Sequence, residues 1–244
     1  MIDEPSLTPQ LPVVMPPTST PDSCALWKSE DPATWRAELA AYDDRIAALN
    51  DPKLRDLDAW YHRDLARAVR TRSPPHLLKD EYVKLVEWKI TRGKWRPLLS
   101  RAKEHAEGTI RAATEAAIKA LDAGKANLDE QALGAALAPL LELKFCGPAT
   151  AAAVLSCIGG DEMPIMSDEL IAVALPDAPS SKTYSTARLV ELVESARRKG
   201  NAIGLRAAEV ERAIFAAAAK TKPPKKRNNT EPSGARASEK KRKR

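Results

Sequence analysis

The residues best suited to chemistry lie in three segments. Leu143-Lys144-Phe145-Cys146-Gly147-Pro148-Ala149-Thr150-Ala151 joins the end of one helix to the start of the next, with Gly147 in the turn. Pro148 sits at a first helical position, where its missing N–H costs nothing. Backbone N–H groups at such a start, for instance those of Ala149 and Thr150, face an anion if one is offered; the segment also reads as an ordinary tight helix–helix connection. Downstream, Met163-Pro164-Ile165-Met166-Ser167-Asp168-Glu169-Leu170 carries a carboxylate, Asp168, at another helix start. There it is either a reactive acid or one of the first-turn acids that the helix dipole favours, with Ser167 as N-cap. The third candidate is Lys89, on the apolar helical face of Leu78, Tyr82, Leu85, Val86 and Ile90. Its ammonium either extends past that face or points into a cleft beside Trp88, where it pairs with a carboxylate such as Asp168 or acts as an amine nucleophile. His62, His76 and His105 are scattered, and Cys24, Cys146 and Cys157 lack C-x-x-C spacing and cannot all pair. That argues against a zinc or iron–sulfur site and for a reducing compartment; neither metal nor cofactor is expected.

The elements that must position these groups read as helices almost throughout. Asp31-Pro32 and Asp51-Pro52 are each an N-cap followed by Pro at the first helical position. The first opens Trp35, Leu39, Tyr42, Ile46 and Leu49 at three- and four-residue steps; the second opens a stretch ending before Pro74-Pro75. A third helix covers about 77–91 and stops at Arg92-Gly93. After Pro97 the spacing predicts one long helix to Gly124, then a capping box from Asn127 to Glu130 opening a helix to about Leu143. Helices at 148–158, 168–175, 185–199 (ended by Gly200) and onward to Lys220 complete the chain. No period-2 alternation of strand length occurs, so the fold class is all-α. Eight of the 11 aromatics precede residue 96, which divides an aromatic N-terminal part from an Ala-rich C-terminal part and suggests two lobes with a cleft between them.

Charge is segregated along the 244 residues. The formal net of +6 combines a Pro/Ser/Thr-rich leader at 1–24 (−3), a neutral domain from 25, and a basic tail from 220 (+9). Leader and tail are expected to be disordered, leaving 25–220 as the helical domain. Within it, 53–103 carries 14 basic and 6 acidic residues. Arg63, Arg67, Arg70, Arg72, Arg92, Lys94, Arg96 and Arg101, interleaved with Trp60, Trp88 and Trp95, suit phosphate contact and base stacking; a solvated helix surface gives similar counts. The tail clusters Lys222-Pro223-Pro224-Lys225-Lys226-Arg227 and Lys240-Lys241-Arg242-Lys243-Arg244 read as a nuclear import signal or a nonspecific DNA tether. No window approaches 18 apolar residues, so no membrane span is expected.

The 143–155 segment resembles the hairpin of the helix-hairpin-helix DNA glycosylases, the endonuclease III-like superfamily, whose pattern is L-P-G-V-G-x-x-T-A. Leu143, Gly147, Thr150 and Ala151 match; Lys144, Phe145 and Cys146 replace P, G and V. That family follows its hairpin helix with F-P-(I/V)-x-D, whose Asp is the catalytic carboxylate; here Asp168 falls one residue later, with Ser167 at the usual position. The stretch from Tyr82 to Pro97 brings the chain nearest to the Amun-like eukaryotic proteins, described as having a glycosylase-like fold.

The resemblance implies a two-lobed helical domain in which Asp168 stabilises an oxocarbenium-like sugar or orients water; Lys89, from its place on the helix face, is a second catalytic candidate. Gly147, Ala149, Thr150, Arg92, Lys94 and Arg96 would hold the DNA backbone, and Trp88, Trp95 and Tyr82 would shape a base pocket. The family's lyase lysine corresponds to Ala149, so an enzyme of this kind would be monofunctional. The expected protein is nuclear and DNA-binding, engages the import machinery through its tail, and as an enzyme would excise a damaged base. The alternatives are a noncatalytic DNA- or chromatin-binding module and a helical protein-interaction scaffold.

Overall fold

The computed structural model describes residues 19–124, 128–177 and 184–221. The expected import signal and most of both tails lie outside these residues. No strand occurs among the described residues, and the fold is all-α. The N-terminal helices are α1 (Pro21–Lys28), α2 (Pro32–Ala40), α3 (Tyr42–Ala48) and α4 (Pro52–Ala59), the last running through a π-helical segment, Trp60–Leu65, into α5 (Ala66–Arg70). Then come α6 (Lys79–Arg92), α7 (Leu99–Lys103), α8 (Glu107–Ala123), α9 (Glu130–Leu141) and α10 (Pro148–Gly159). After a 3-10 turn at Gly160–Glu162, α11 (Asp168–Ala174), α12 (Thr186–Ile203) and α13 (Ala207–Ala219) finish the fold.

Both Asp-Pro starts form as the sequence indicates: Asp31 accepts from the Ala33 and Thr34 amides, and Asp51 from Leu54. Four boundaries differ, each for a local or tertiary reason. The leader does not extend to 24, because Thr20 caps α1 reciprocally with Ser23 and Pro21 takes the first helical position. The long helix after Pro97 is broken at 104–106. There Glu107 turns back to accept from the Lys79 amide at 3.0 Å, and the His105 ring meets the Lys144 carbonyl at 3.0 Å. Asp129, not Asn127, caps α9 by accepting from Ala132 at 2.9 Å; Asn127 itself lies outside the described residues. Gly200 does not end α12 but sits inside it, where an added Cβ would come within 2.5 Å of the Leu205 carbonyl oxygen. The C-terminal glycine is Gly204, at φ 70°.

Two Ala-rich helices form the centre. Residues 149–155 of α10 and 213–219 of α13 are buried on every side, a pattern that suits a core helix. Their small side chains let α1, α2, α3, α11 and α12 close on α13, and α6, α8 and α9 on α10. The buried side chains make one continuous cluster from Leu26 to Ala219. Its largest members come from the aromatic N-terminal part: Tyr61 stacks on Trp88 (centroids 3.5 Å apart, planes at 9°), and its hydroxyl donates to the Ala153 carbonyl at 2.7 Å. This bond ties the π-helical segment to α10, so the hairpin helix is held from behind.

Candidate functional site

A cleft of about 390 Å³ opens where the end of α6, the 145–150 hairpin, the start of α11 and Tyr184 converge. Lys89, Lys94, Arg96, Phe145, Gly147, Ala149, Thr150 and Asp168 all line it. Segments some 80 residues apart in the chain are thus brought to one place.

Asp168 is the first residue of α11, but it does not cap that helix. Ser167 does, its hydroxyl accepting from the Leu170 amide at 3.3 Å. The Asp168 carboxylate is left free to turn into the cleft, where Oδ2 lies 3.3 Å from Lys94 Nζ and Oδ1 accepts from the Tyr184 hydroxyl. Burial and the Asp168 charge hold the Tyr184 phenol well above its ordinary range, so it remains a donor at neutral pH. Tyr184 had no sequence signal: it precedes α12 and matches no motif.

Lys89 enters the cleft instead of extending past the apolar face. Its pKa is pushed below the ordinary lysine value chiefly by burial, with Arg96 and Arg92 acting the same way and Asp168 opposing. Because the unfolded chain binds this proton more tightly than the folded one, stability contributed through Lys89 rises with pH between its depressed value and about 10.4. Lys89→Met should therefore be more stable than the native chain at pH 7, and the difference should shrink by pH 9.5 in urea unfolding. Parallel pH profiles for the two proteins would mean that the amine is solvated.

The cleft floor is a buried polar network. The Arg92 guanidinium bonds both Glu211 oxygens at 3.0 and 3.1 Å, contacts the Tyr42 hydroxyl at 3.3 Å, and lies 3.8 Å from the Phe215 ring centroid. Glu211 also accepts from Ser167. Asp58 accepts from Tyr42 at 3.1 Å and from Trp88 Nε1 at 2.9 Å. Burial raises the pKa values of Asp58 and Glu211, while Arg92 draws both back down. Next to this network, burial pushes His62 down to about 3, so it is neutral. None of these links has a sequence signature, because Arg92 and Glu211 are 119 residues apart.

Several expected contacts are corrected by this arrangement. Arg92 is buried and spent on Glu211, so it is not a phosphate ligand. Trp88 underlies the cleft at 0% exposure, one face taken by Tyr61, and has no surface for a base. Tyr82 is buried behind the hairpin beside His105 and Cys146. Trp95 is 73% exposed but lines a separate groove with Ile90, Pro97 and Leu99. Of the two hairpin amides, Thr150 N–H bonds the Gly147 carbonyl at 2.9 Å, leaving Ala149 as the available donor. The basic stretch is likewise divided: Arg72 is fixed on Glu81, whereas Lys94 and Arg96 are exposed where they line the cleft, Lys94 paired with Asp168, and the exposed Arg101, paired with Glu104, lies beside Phe145.

Cys24, Cys146 and Cys157 are unpaired, and among the described residues no group of three or more His, Cys, Asp or Glu is placed to hold a metal. The chain matches no family model, no curated protein and no solved structure.

Proposed function

We propose that this is a nuclear DNA-binding protein with a two-lobed, glycosylase-like helical domain, and that it acts as a monofunctional N-glycosylase with Asp168 as the catalytic carboxylate. One observation carries the reading: the hairpin and the Asp168 loop, matched separately in sequence, line the same cleft. The volume lies in the range of small-molecule sites, about 300–1,000 Å³, and suits a base turned out of the stack. Loss of the base gives the sugar oxocarbenium character, which a carboxylate in a partly dry site stabilises. Lys94 and Arg96 hold the flanking phosphates, and the Ala149 amide at the start of α10 adds a neutral donor. Ala149 occupies the position of the family's lyase lysine, so strand cleavage is not part of the proposal.

Single-turnover assays on duplexes carrying uracil, alkylated or oxidised bases test the enzymatic reading; no excision of any of them would sink it. The DNA-binding reading has its own check. A variant lacking 222–244 should still bind duplex DNA, with a log–log salt slope near −3 if Lys94, Arg96 and Arg101 each meet a phosphate, at about 0.9 per contact. No binding, or binding without a slope, would leave the tail as the sole contact.

The second reading, a noncatalytic DNA- or chromatin-binding module, is favoured by one feature. Both Asp168 oxygens are already engaged, by Lys94 and Tyr184. Under that reading the ion pair is a fixed part of the cleft wall, and DNA binds without excision.

A further inference from the structure

The hairpin apex holds an aromatic residue in a backbone conformation that aromatic residues avoid. Phe145 has φ 64°, and of the two non-glycine residues with positive φ among those described, it is the bulky one; the other is Asn50. Asn tolerates this region, while a Phe there is strained. The strain persists because the turn is fixed on both sides. The Lys144 carbonyl is bonded by His105, the Cys146 amide donates to the Leu143 carbonyl at 3.0 Å, and the Cys146 side chain is buried against Tyr82. Glycine would adopt the same turn freely. Nor is the ring there to fill the core, since Phe145 is 55% exposed.

The surroundings of the ring point to its partner. It lies on the rim of the cleft near Lys94 and Arg96, and the Arg101 guanidinium sits 5.0 Å from its centroid. Lys94 is paired with Asp168 and Arg101 with Glu104, and both cations stay about half exposed; an exposed π face beside such cations is the arrangement that recognises an unpaired nucleotide, base on ring and phosphate on cation. An apolar peptide segment would match the ring but not the cations. We propose that Phe145, supported by Arg101, is a stacking platform for the base of an unpaired nucleotide beside the one that enters the cleft. The inference rests on the nucleic-acid reading above and adds a residue and a strand state to it.

The test uses the full chain with Phe145→Gly and Phe145→Trp. Two probes are compared: a 12-nucleotide single strand with one 2-aminopurine, and the intact duplex of the same sequence. Binding to the duplex provides the reference for the tail. Phe145→Gly should lower single-strand affinity about 5- to 100-fold, with duplex affinity and the salt slope unchanged, because no charge is removed. Its thermal midpoint should rise by about 2 to 4 °C as the backbone strain is released. Phe145→Trp should keep both the affinity and the change in 2-aminopurine emission. Equal single-strand affinity in native protein and Phe145→Gly overturns the platform while leaving DNA binding in place. Failure of the native chain to bind either probe overturns both, and a lowered midpoint in Phe145→Gly shows that the ring serves the fold.

Discussion

Replacing Arg92 with Met should destabilise the domain by about 3–5 kcal/mol, a large part of the 5–15 kcal/mol by which a typical domain is stable. The reason is not that the Arg92–Glu211 pair adds so much by itself. Desolvating two ions costs nearly what their attraction returns, and a buried pair can often be exchanged for apolar residues without loss. The cost comes from what is left behind: Glu211 at 0% exposure without its cation, and Asp58 at 3% with only Tyr42 and Trp88 as donors. For a domain of this size the thermal midpoint should fall by roughly 6 to 20 °C. The pH dependence has a definite sign. In the variant Glu211 is held protonated by burial, so its folded pKa exceeds its unfolded value, and that contribution is present at low pH and lost as pH rises. The difference from the native chain should therefore be smaller at pH 5 than at pH 8. Arg92→Met combined with Glu211→Leu should recover part of the loss, because Glu211 is no longer stranded, while Asp58 keeps its Tyr42 and Trp88 donors but not the Arg92 charge. If the double variant is as unstable as the single one, shape around Phe215 is what matters, and the electrostatic account is wrong.

That network also explains what the sequence could and could not reveal. Helix class and most starts were legible because their causes are local: the Asp31-Pro32 and Asp51-Pro52 caps and the Pro148 start each depend on a few neighbouring residues. The 104–106 break was not, since Glu107 and His105 answer to Lys79 and Lys144, and periodicity carries no record of such partners. The candidate site divides in the same way. Gly147, Ala149, Thr150 and Asp168 were found as segments with a recognisable pattern, and the fold brings them together. Arg92 and Trp88 were misread because composition shows a cation or an aromatic but not which face of α6 it occupies. Both point inward, to Glu211 and Tyr61. Lys94 and Arg96 lie beyond the end of α6 and remain exposed. Phe145 shows another limit: the sequence marks only that it replaces a glycine of the pattern, and not that its neighbours hold it in the left-handed conformation.

On the catalytic reading proposed above, Asp168→Asn should slow single-turnover excision about 10²- to 10⁴-fold, a loss of about 3–5 kcal/mol of transition-state stabilisation, while leaving the fold nearly intact. The two effects separate because of what each oxygen does. The Tyr184 hydroxyl can donate to the Asn carbonyl as it does to Asp168 Oδ1, so the side chain keeps its orientation. The Lys94 pair is partly exposed, with side-chain exposures of 41% and 20%, and such pairs contribute about 1 kcal/mol or less. What is removed is the negative charge itself, the one property an oxocarbenium-like sugar requires. Ground-state DNA affinity should move the other way. Lys94 no longer shares its charge between Asp168 and a phosphate, and an anion is removed from the cleft, so Asp168→Asn should bind duplex as tightly as the native chain or more tightly. Slow excision with undiminished affinity marks charge stabilisation in the transition state; loss of both in parallel marks a disturbed cleft. A variant that excises at the native rate removes Asp168 from the chemistry and favours the noncatalytic reading. The Lys94→Met variant then separates the remaining cases: under that reading it should weaken DNA binding and leave no activity to lose. Under the catalytic reading it should lower affinity while Asp168, freed of its cation, still supports excision.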